Sequence, residues 1–141
     1  MMLKDFIEKG QVKKSSKDIS LAKSLITTAE NDLKFLNGLK INENSARKVM
    51  SNYYDVLRSI LEAISALDGY KIYSHEAFAY FMKEKGEKLI AIKFDRFRII
   101  RNKINYYGKG ISVEEVKENT AEILKMIREL KEKYFEETEK K

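Results

Sequence analysis

Residues 88–107 read KLIAIKFDRFRIIRNKINYY, and their apolar side chains recur at the spacing of an α-helix. At about 100° per residue, these side chains fall on one continuous arc of a helical wheel. The arc comprises Leu89, Ile90, Phe94, Phe97, Ile100, Ile104 and Tyr107. The pattern predicts an amphipathic helix that turns this arc towards a core, and Gly108 is typical of the end of such a helix.

Four further segments show the same periodicity, and glycines or capping residues separate them. Ser74 and Ser112 are the expected N-caps of two of them. We predict these helices at residues 18–39, 45–67, 74–84 and 112–134. The chain contains no proline, and no strand-like alternation persists. The expected fold class is therefore all-α, an antiparallel bundle of about five helices joined by short loops.

The bundle is predicted to span residues 17–135. Before it, residues 1–16 are polar and basic around a small apolar patch, which predicts a short helix or a loose arm. After it, residues 136–141 form a charged tail. The chain is one domain by its length of 141 residues.

Composition narrows the class of protein. Charged residues make up 35% of the chain, which suits amphipathic helices with wide solvated faces. Cysteine is absent, so disulfides and thiolate metal sites are excluded. No signal peptide or membrane span is recognised, and a cytoplasmic protein without a cofactor is expected. The net charge of +6 favours anionic partners such as nucleic acid, although lysines spread among glutamates are also typical of solvated helix faces.

Arg101 lies inside the apolar arc of residues 88–107, between Phe94 and Phe97 on the wheel. An unpaired buried charge is costly, so this guanidinium must pair with a carboxylate, reach water or bind an anionic ligand. Asp68 is the expected partner if the helices run up, down and up, and Glu62 is the weaker choice.

Polar residues surround Arg101 near the end of the same helix. Asn102 and Tyr106 lie one turn apart on its less apolar side, and Arg98 and Asn105 flank the arc. Arginine suits bidentate phosphate contacts, asparagine can orient a phosphate or ribose, and tyrosine can stack on a base. Tyr106 and Tyr107 are therefore the candidates for base stacking. Long helices also carry such residues without a function, and a structural ion pair remains an alternative for Arg101.

The pattern Arg101-Asn102-x-x-x-Tyr106, near the end of a long helix and before a capped final helix, resembles the signature of the HEPN family. The preceding residues 94–100, with 54–57 and 69–77, are similar to an archaeal-type branch of that family. The resemblance implies a helical, usually dimeric bundle, often a metal-independent ribonuclease. Many prokaryotic members pair with a minimal nucleotidyltransferase as toxin and antitoxin. Arg101 and Asn102 match the family's catalytic Arg and Asn.

The family's catalytic histidine does not match, because Tyr106 stands near its position. Histidine titrates near neutrality and can transfer the proton of a 2′-hydroxyl, whereas a tyrosine with a pKa near 10 is a poor base at pH 7. The hydroxyl of Tyr106 could instead accept a modification from a partner enzyme. The lone histidine, His75, is expected in the first turn of a helix and becomes a supporting candidate if the fold brings it near Arg101.

Two functions from different classes follow. The first is an RNA-directed ribonuclease or toxin component in which Arg101 holds the scissile phosphate, Asn102 positions it and Tyr106 replaces the histidine. The second is a non-catalytic module that binds a nucleotide or serves as a helical dimerisation domain. With one histidine and no cysteine, a zinc site is not expected.

Overall fold

The computed structural model describes residues 1–108 and 110–136. Within them the chain folds into six helices and one small sheet, which confirms an all-helical bundle. The elements in chain order are α1 (Leu3–Glu8), β1 (Val12–Lys14), α2 (Ile19–Asn37), α3 (Ala46–Asp68), β2 (Tyr70–Ile72), α4 (His75–Glu84), α5 (Lys88–Tyr107) and α6 (Val113–Tyr134). The five predicted helices are α2 to α6, each within two residues of its expected start. The predicted charged tail falls outside the described residues, except for Glu136.

Helix α3 is the centre of the bundle, and it contacts α2, α4, α5 and α6. Because neighbours cover it on several sides, apolar side chains all round the helix are buried. Those that are completely buried include Tyr54, Leu57, Ile60, Leu61 and Ile64. A charged residue on one of the covered sides of this helix therefore needs a partner.

The small sheet was not expected from the sequence. Strand β1 pairs antiparallel with β2, with Val12 opposite Ile72. Each strand has only three residues, which is too short to show the alternation by which a strand is recognised. Gly69 permits this connection, since its φ of 81° lies in the left-handed region and its carbonyl accepts a 2.7 Å hydrogen bond from the Ser15 amide.

The first 16 residues belong to the bundle and are not a separate arm. Leu3 and Phe6 of α1 are buried. The Phe6 ring lies 5.0 Å from that of Tyr80, and the Leu3 amide donates a 2.9 Å hydrogen bond to the Glu84 carboxylate. Helix α1 therefore packs against α4 and closes one side of the core.

Helix α5 spans the predicted residues, but its core face is narrower than expected. Ile90, Phe94, Phe97 and Ile104 are buried, whereas Leu89 and Tyr107 are 63% and 76% exposed. Both of these lie at the same edge of the predicted arc, and the neighbouring helices cover only its middle. None of the helices in the described part of the chain has the length and hydropathy that a membrane span requires.

Candidate functional site

Arg101 faces a cavity of about 500 Å³ between four helices. Helices α2 and α3 form two of its walls, while α4 and α5 contribute one residue each. Its lining consists of Asp32, Phe35, Leu36, Asn52, Asp55, Val56, Arg58, Ser59, His75 and Arg101. The cavity therefore brings together Arg101 and the lone histidine, which the sequence could name only as separate candidates.

The Arg101 side chain is only 19% exposed, and its nearest carboxylate is that of Asp55 on α3. The Nη2–Oδ1 distance of 3.9 Å is too long for a strong hydrogen bond. The guanidinium also lies 5.7 Å from the centre of the buried Tyr54 ring, within reach of a cation–π contact. Its Nε is buried and has no hydrogen-bond partner among the described residues.

The prediction that Asp68 pairs with Arg101 was wrong. Asp68 accepts a 2.6 Å hydrogen bond from Lys85, and Glu62 lies 3.8 Å from Arg58. Asp68 is 13 residues from Asp55, or about 20 Å along the helix.

The physical reason is the direction of the helices. Strand β2 carries the chain back along α3, so that α4 runs parallel to α3, with His75 beside Tyr54 and Lys85 beside Asp68. Helix α5 then runs antiparallel to α3, and Arg47 near the start of α3 donates to the Ile104 carbonyl near the end of α5. The predicted up-down-up order lacked this return strand.

A second arginine of the cavity, Arg58, resembles Arg101 in its surroundings. Its Nε is also buried without a hydrogen-bond partner among the described residues. Burial raises the pKa of the Asp55 carboxyl, while the charges of Arg101 and Arg58 oppose that increase. Buried donors without acceptors are rare and costly in folded proteins, so both arginines are incompletely paired within the described residues.

His75 stands in the first turn of α4, as predicted. Its Nδ1 lies 3.0 Å from the hydroxyl oxygen of Tyr54. Burial lowers the pKa of His75 to about 4, and the positive charges of Arg58, Arg101 and Arg98 act in the same direction. The imidazole is therefore neutral at pH 7. Burial also raises the pKa of the Tyr54 phenol, which keeps that hydroxyl protonated.

The other predicted site residues lie outside the cavity lining. Arg98 donates a 2.8 Å hydrogen bond to Asp95, and Asn105 accepts one from Ser51. Asn102 is half-buried beside Arg101, whereas Tyr106 is 70% exposed on another side of α5. The structure therefore separates Arg101 from the tyrosine that was expected to act with it.

Sequence reasoning missed the contribution of α3 to the site. Asp55 and Arg58 interrupt the mostly apolar residues 53–64 of α3. That contrast was a usable signal, because charges on a core helix require partners or ligands. Asn52 and Ser59 gave no such signal, since single polar residues are common on any helix.

The described residues contain no group of three or more His, Cys, Asp or Glu that could hold a metal ion. Comparison with known proteins found no relative of this chain. No family model matches the chain, and neither does any curated protein or solved structure.

Proposed function

We propose that the chain is a HEPN-like domain that binds a phosphate group of RNA or of a nucleotide in this cavity. The observation that carries the proposal is the pair of arginines that line this cavity, Arg58 and Arg101, whose ion pairs within the described residues are long, at 3.8 and 3.9 Å. A phosphate bound in the cavity offers oxygen acceptors to the guanidinium nitrogens that face it. Arginine is well suited to this contact because its planar donors match the geometry of phosphate oxygens.

The size and charge of the surroundings fit such a ligand. A cavity of about 500 Å³ falls within the range of small-molecule sites, and its Asn52 and Ser59 offer neutral hydrogen bonds for a ribose. The net charge of +6 favours the approach of a polyanion. Phe35, a cavity residue that is 64% exposed, offers an aromatic face for a base.

The enzymatic form of the proposal is a metal-independent ribonuclease, and a minimal nucleotidyltransferase remains the proposed protein partner. Its support is the match of Arg101 and Asn102 to the HEPN signature, together with the inward direction of Arg101. The role first given to Tyr106 has no structural support, because that side chain does not line the cavity.

Binding of a single-stranded RNA oligomer tests the proposal, with Arg58→Gln and Arg101→Gln as variants. Each variant removes a charged donor, and loss of such a hydrogen bond costs about 1.5–3 kcal/mol, or roughly 10-fold or more in Kd. Arg128→Gln is the matched control, because Arg128 is exposed on α6 outside the cavity and its replacement removes the same charge. Equal weakening by all three variants would indicate general electrostatic attraction and contradict a cavity site.

A second candidate function, helical dimerisation, is favoured by a different surface. Helix α5 exposes an apolar row outside its core face, and we call it the α5 outer row. It consists of Leu89, Ile92, Ile99 and Tyr106, with Arg96 and Lys103 interspersed. Counted together, the four apolar and two basic positions are separated alternately by three and four residues, which is the spacing of a helix–helix seam. The proposed homodimer forms through this row.

A further inference from the structure

We infer that His75 is the acid–base residue of the cavity and that Tyr54 is its positioning residue, with an RNA phosphodiester as the substrate. The inference rests on the proposed phosphate site and assigns the proton transfer within it. The acid–base role is thereby assigned to a residue of α4 and not to Tyr106, which stands near the position of the family's histidine.

The geometry places the imidazole for this role. Tyr54 is completely buried, so its hydroxyl is held in one place by the packing of α3. Because that hydroxyl engages Nδ1 at 3.0 Å, Nε2 is the ring nitrogen left for a ligand. His75 lines the same cavity as Arg58 and Arg101, whose guanidiniums are the proposed phosphate ligands.

The elements around His75 carry several charged and titratable groups. Helix α3 contributes Tyr54, Asp55 and Arg58, α5 contributes Arg98 and Arg101, α2 contributes Asp32 at the cavity wall, and Glu76 follows His75 on α4. Burial is the largest cause of the lowered pKa of His75, and the charges of Arg58, Arg101 and Arg98 lower that pKa further, so the imidazole is neutral in the free protein. A phosphate bound between Arg58 and Arg101 offsets their charge, so the proton affinity of His75 increases when substrate is present.

The proposed step balances without a further reactant. Neutral His75 takes the proton of the ribose 2′-hydroxyl through Nε2, while Nδ1–H donates to the Tyr54 oxygen. The 2′-oxygen forms a bond to phosphorus, and the bond from phosphorus to the 5′-oxygen breaks. His75 returns its proton to that leaving oxygen. The products are a 2′,3′-cyclic phosphate and a 5′-hydroxyl, and the arginines stabilise the charge that develops on the phosphate oxygens.

The lone histidine makes this inference directly measurable, since its imidazole NMR signals need no assignment against others. We expect inorganic phosphate to raise the pKa of His75 by at least about one unit, because it offsets neighbouring positive charge. The same titration with Arg101→Gln should show a smaller effect. Phosphate that binds without moving the pKa of His75 would contradict the inference and leave the binding site intact.

Cleavage of a labelled single-stranded RNA oligomer tests the catalytic role. We expect His75→Gln to lower the rate by about 10²–10⁴-fold, the usual contribution of acid–base catalysis, with little change in the Kd for RNA. Added imidazole should restore part of the rate to His75→Gly, which a purely structural role does not predict. Tyr54→Phe should lower the rate less than His75→Gln and alter its pH profile. The matching DNA oligomer, which lacks the 2′-hydroxyl, should remain intact.

The outcomes separate the inference from the proposed function. If the protein binds RNA but does not cleave it, or if His75→Gln cleaves as the wild type does, His75 is not the acid–base residue and the phosphate site stands. If Tyr106→Phe abolishes cleavage and His75→Gln does not, the role belongs to Tyr106. If Arg58→Gln and Arg101→Gln leave RNA binding unchanged, the proposed site itself fails.

Discussion

The hydroxyl oxygen of Tyr54 and Nδ1 of His75 lie 3.0 Å apart, although 21 residues separate them in the chain. The contact joins the middle of α3 to the first turn of α4. It exists because β2 leads the chain back along α3 before α4 begins. The same return places the lone histidine in the cavity of Arg58 and Arg101.

The lowered pKa of His75 predicts a specific dependence of stability on pH. The imidazole has an ordinary pKa of 6.5 and a folded-state pKa of about 4. Between pH 6.5 and pH 4 it is therefore protonated in the unfolded chain and neutral in the folded chain. Its contribution to stability is therefore fully present above pH 6.5 and is lost as the pH falls towards 4.

We expect a loss of about 1–2 kcal/mol between pH 7 and pH 5, since one pKa unit corresponds to about 1.4 kcal/mol and pH 5 crosses only part of the range from 6.5 to 4. Solvent screening of the partly exposed imidazole reduces the effect further. Urea unfolding at pH 7 and pH 5 measures it. Because carboxylates also begin to titrate in this range, His75→Gln is the control, and it should lose less stability on acidification than the wild type. Equal losses in both proteins would mean that His75 is not held neutral by the fold.

Gly69 should be the most sensitive glycine of the described chain. A Cβ at this position would lie 2.7 Å from the Ser15 carbonyl oxygen, and the φ of 81° is unfavourable for alanine. Gly69→Ala should therefore cost about 1–2 kcal/mol for the left-handed backbone and about 1–3 kcal/mol more for the steric clash.

Gly108→Ala is the matched control in thermal unfolding. Gly108 also has a positive φ, of 63°, but a Cβ there meets nothing within 4 Å. Only the backbone cost of about 1–2 kcal/mol is expected for this variant. Similar melting temperatures for the two variants would show that the segment around Ser15 moves away without cost.

Phe35 should distinguish a nucleotide from a bare phosphate. Stacking of a base on an aromatic side chain contributes about 1–3 kcal/mol. Phe35→Ala should therefore weaken binding of adenosine monophosphate by this amount while leaving the Kd for inorganic phosphate unchanged, as measured by calorimetry. Phe35→Tyr should retain the affinity. A parallel loss for both ligands would show that Phe35 shapes the cavity and does not stack on a base.

The α5 outer row should control self-association. Ile92 and Ile99 are 61% and 42% exposed, so their replacement leaves the core intact. Ile92→Lys or Ile99→Lys adds charge to a row that already holds Arg96 and Lys103, and should shift a dimer to monomer in sedimentation equilibrium. Leu21→Lys, at an exposed apolar site on α2, is the control. A wild-type protein that is monomeric at high concentration would remove the dimerisation hypothesis.

Local patterns in the sequence predicted the helices and singled out Arg101 as a residue that needs a partner or a ligand. Periodicity located α2 to α6, because an amphipathic helix needs its apolar residues at a fixed spacing. Arg101 was identifiable because a charge within an apolar arc must find a partner or a ligand.

The tertiary structure alone decided what Arg101 faces. Strand β2 is too short to be recognised by alternation, yet it sets the directions of α4 and α5. As a result, the carboxylate near Arg101 is that of Asp55 and not that of Asp68. Helical periodicity describes the faces of each helix but not its offset along a neighbour, which depends on packing and on the path of the loops. For that reason the sequence could single out Arg101 and His75 one by one, and only the fold could place them in one cavity with Arg58.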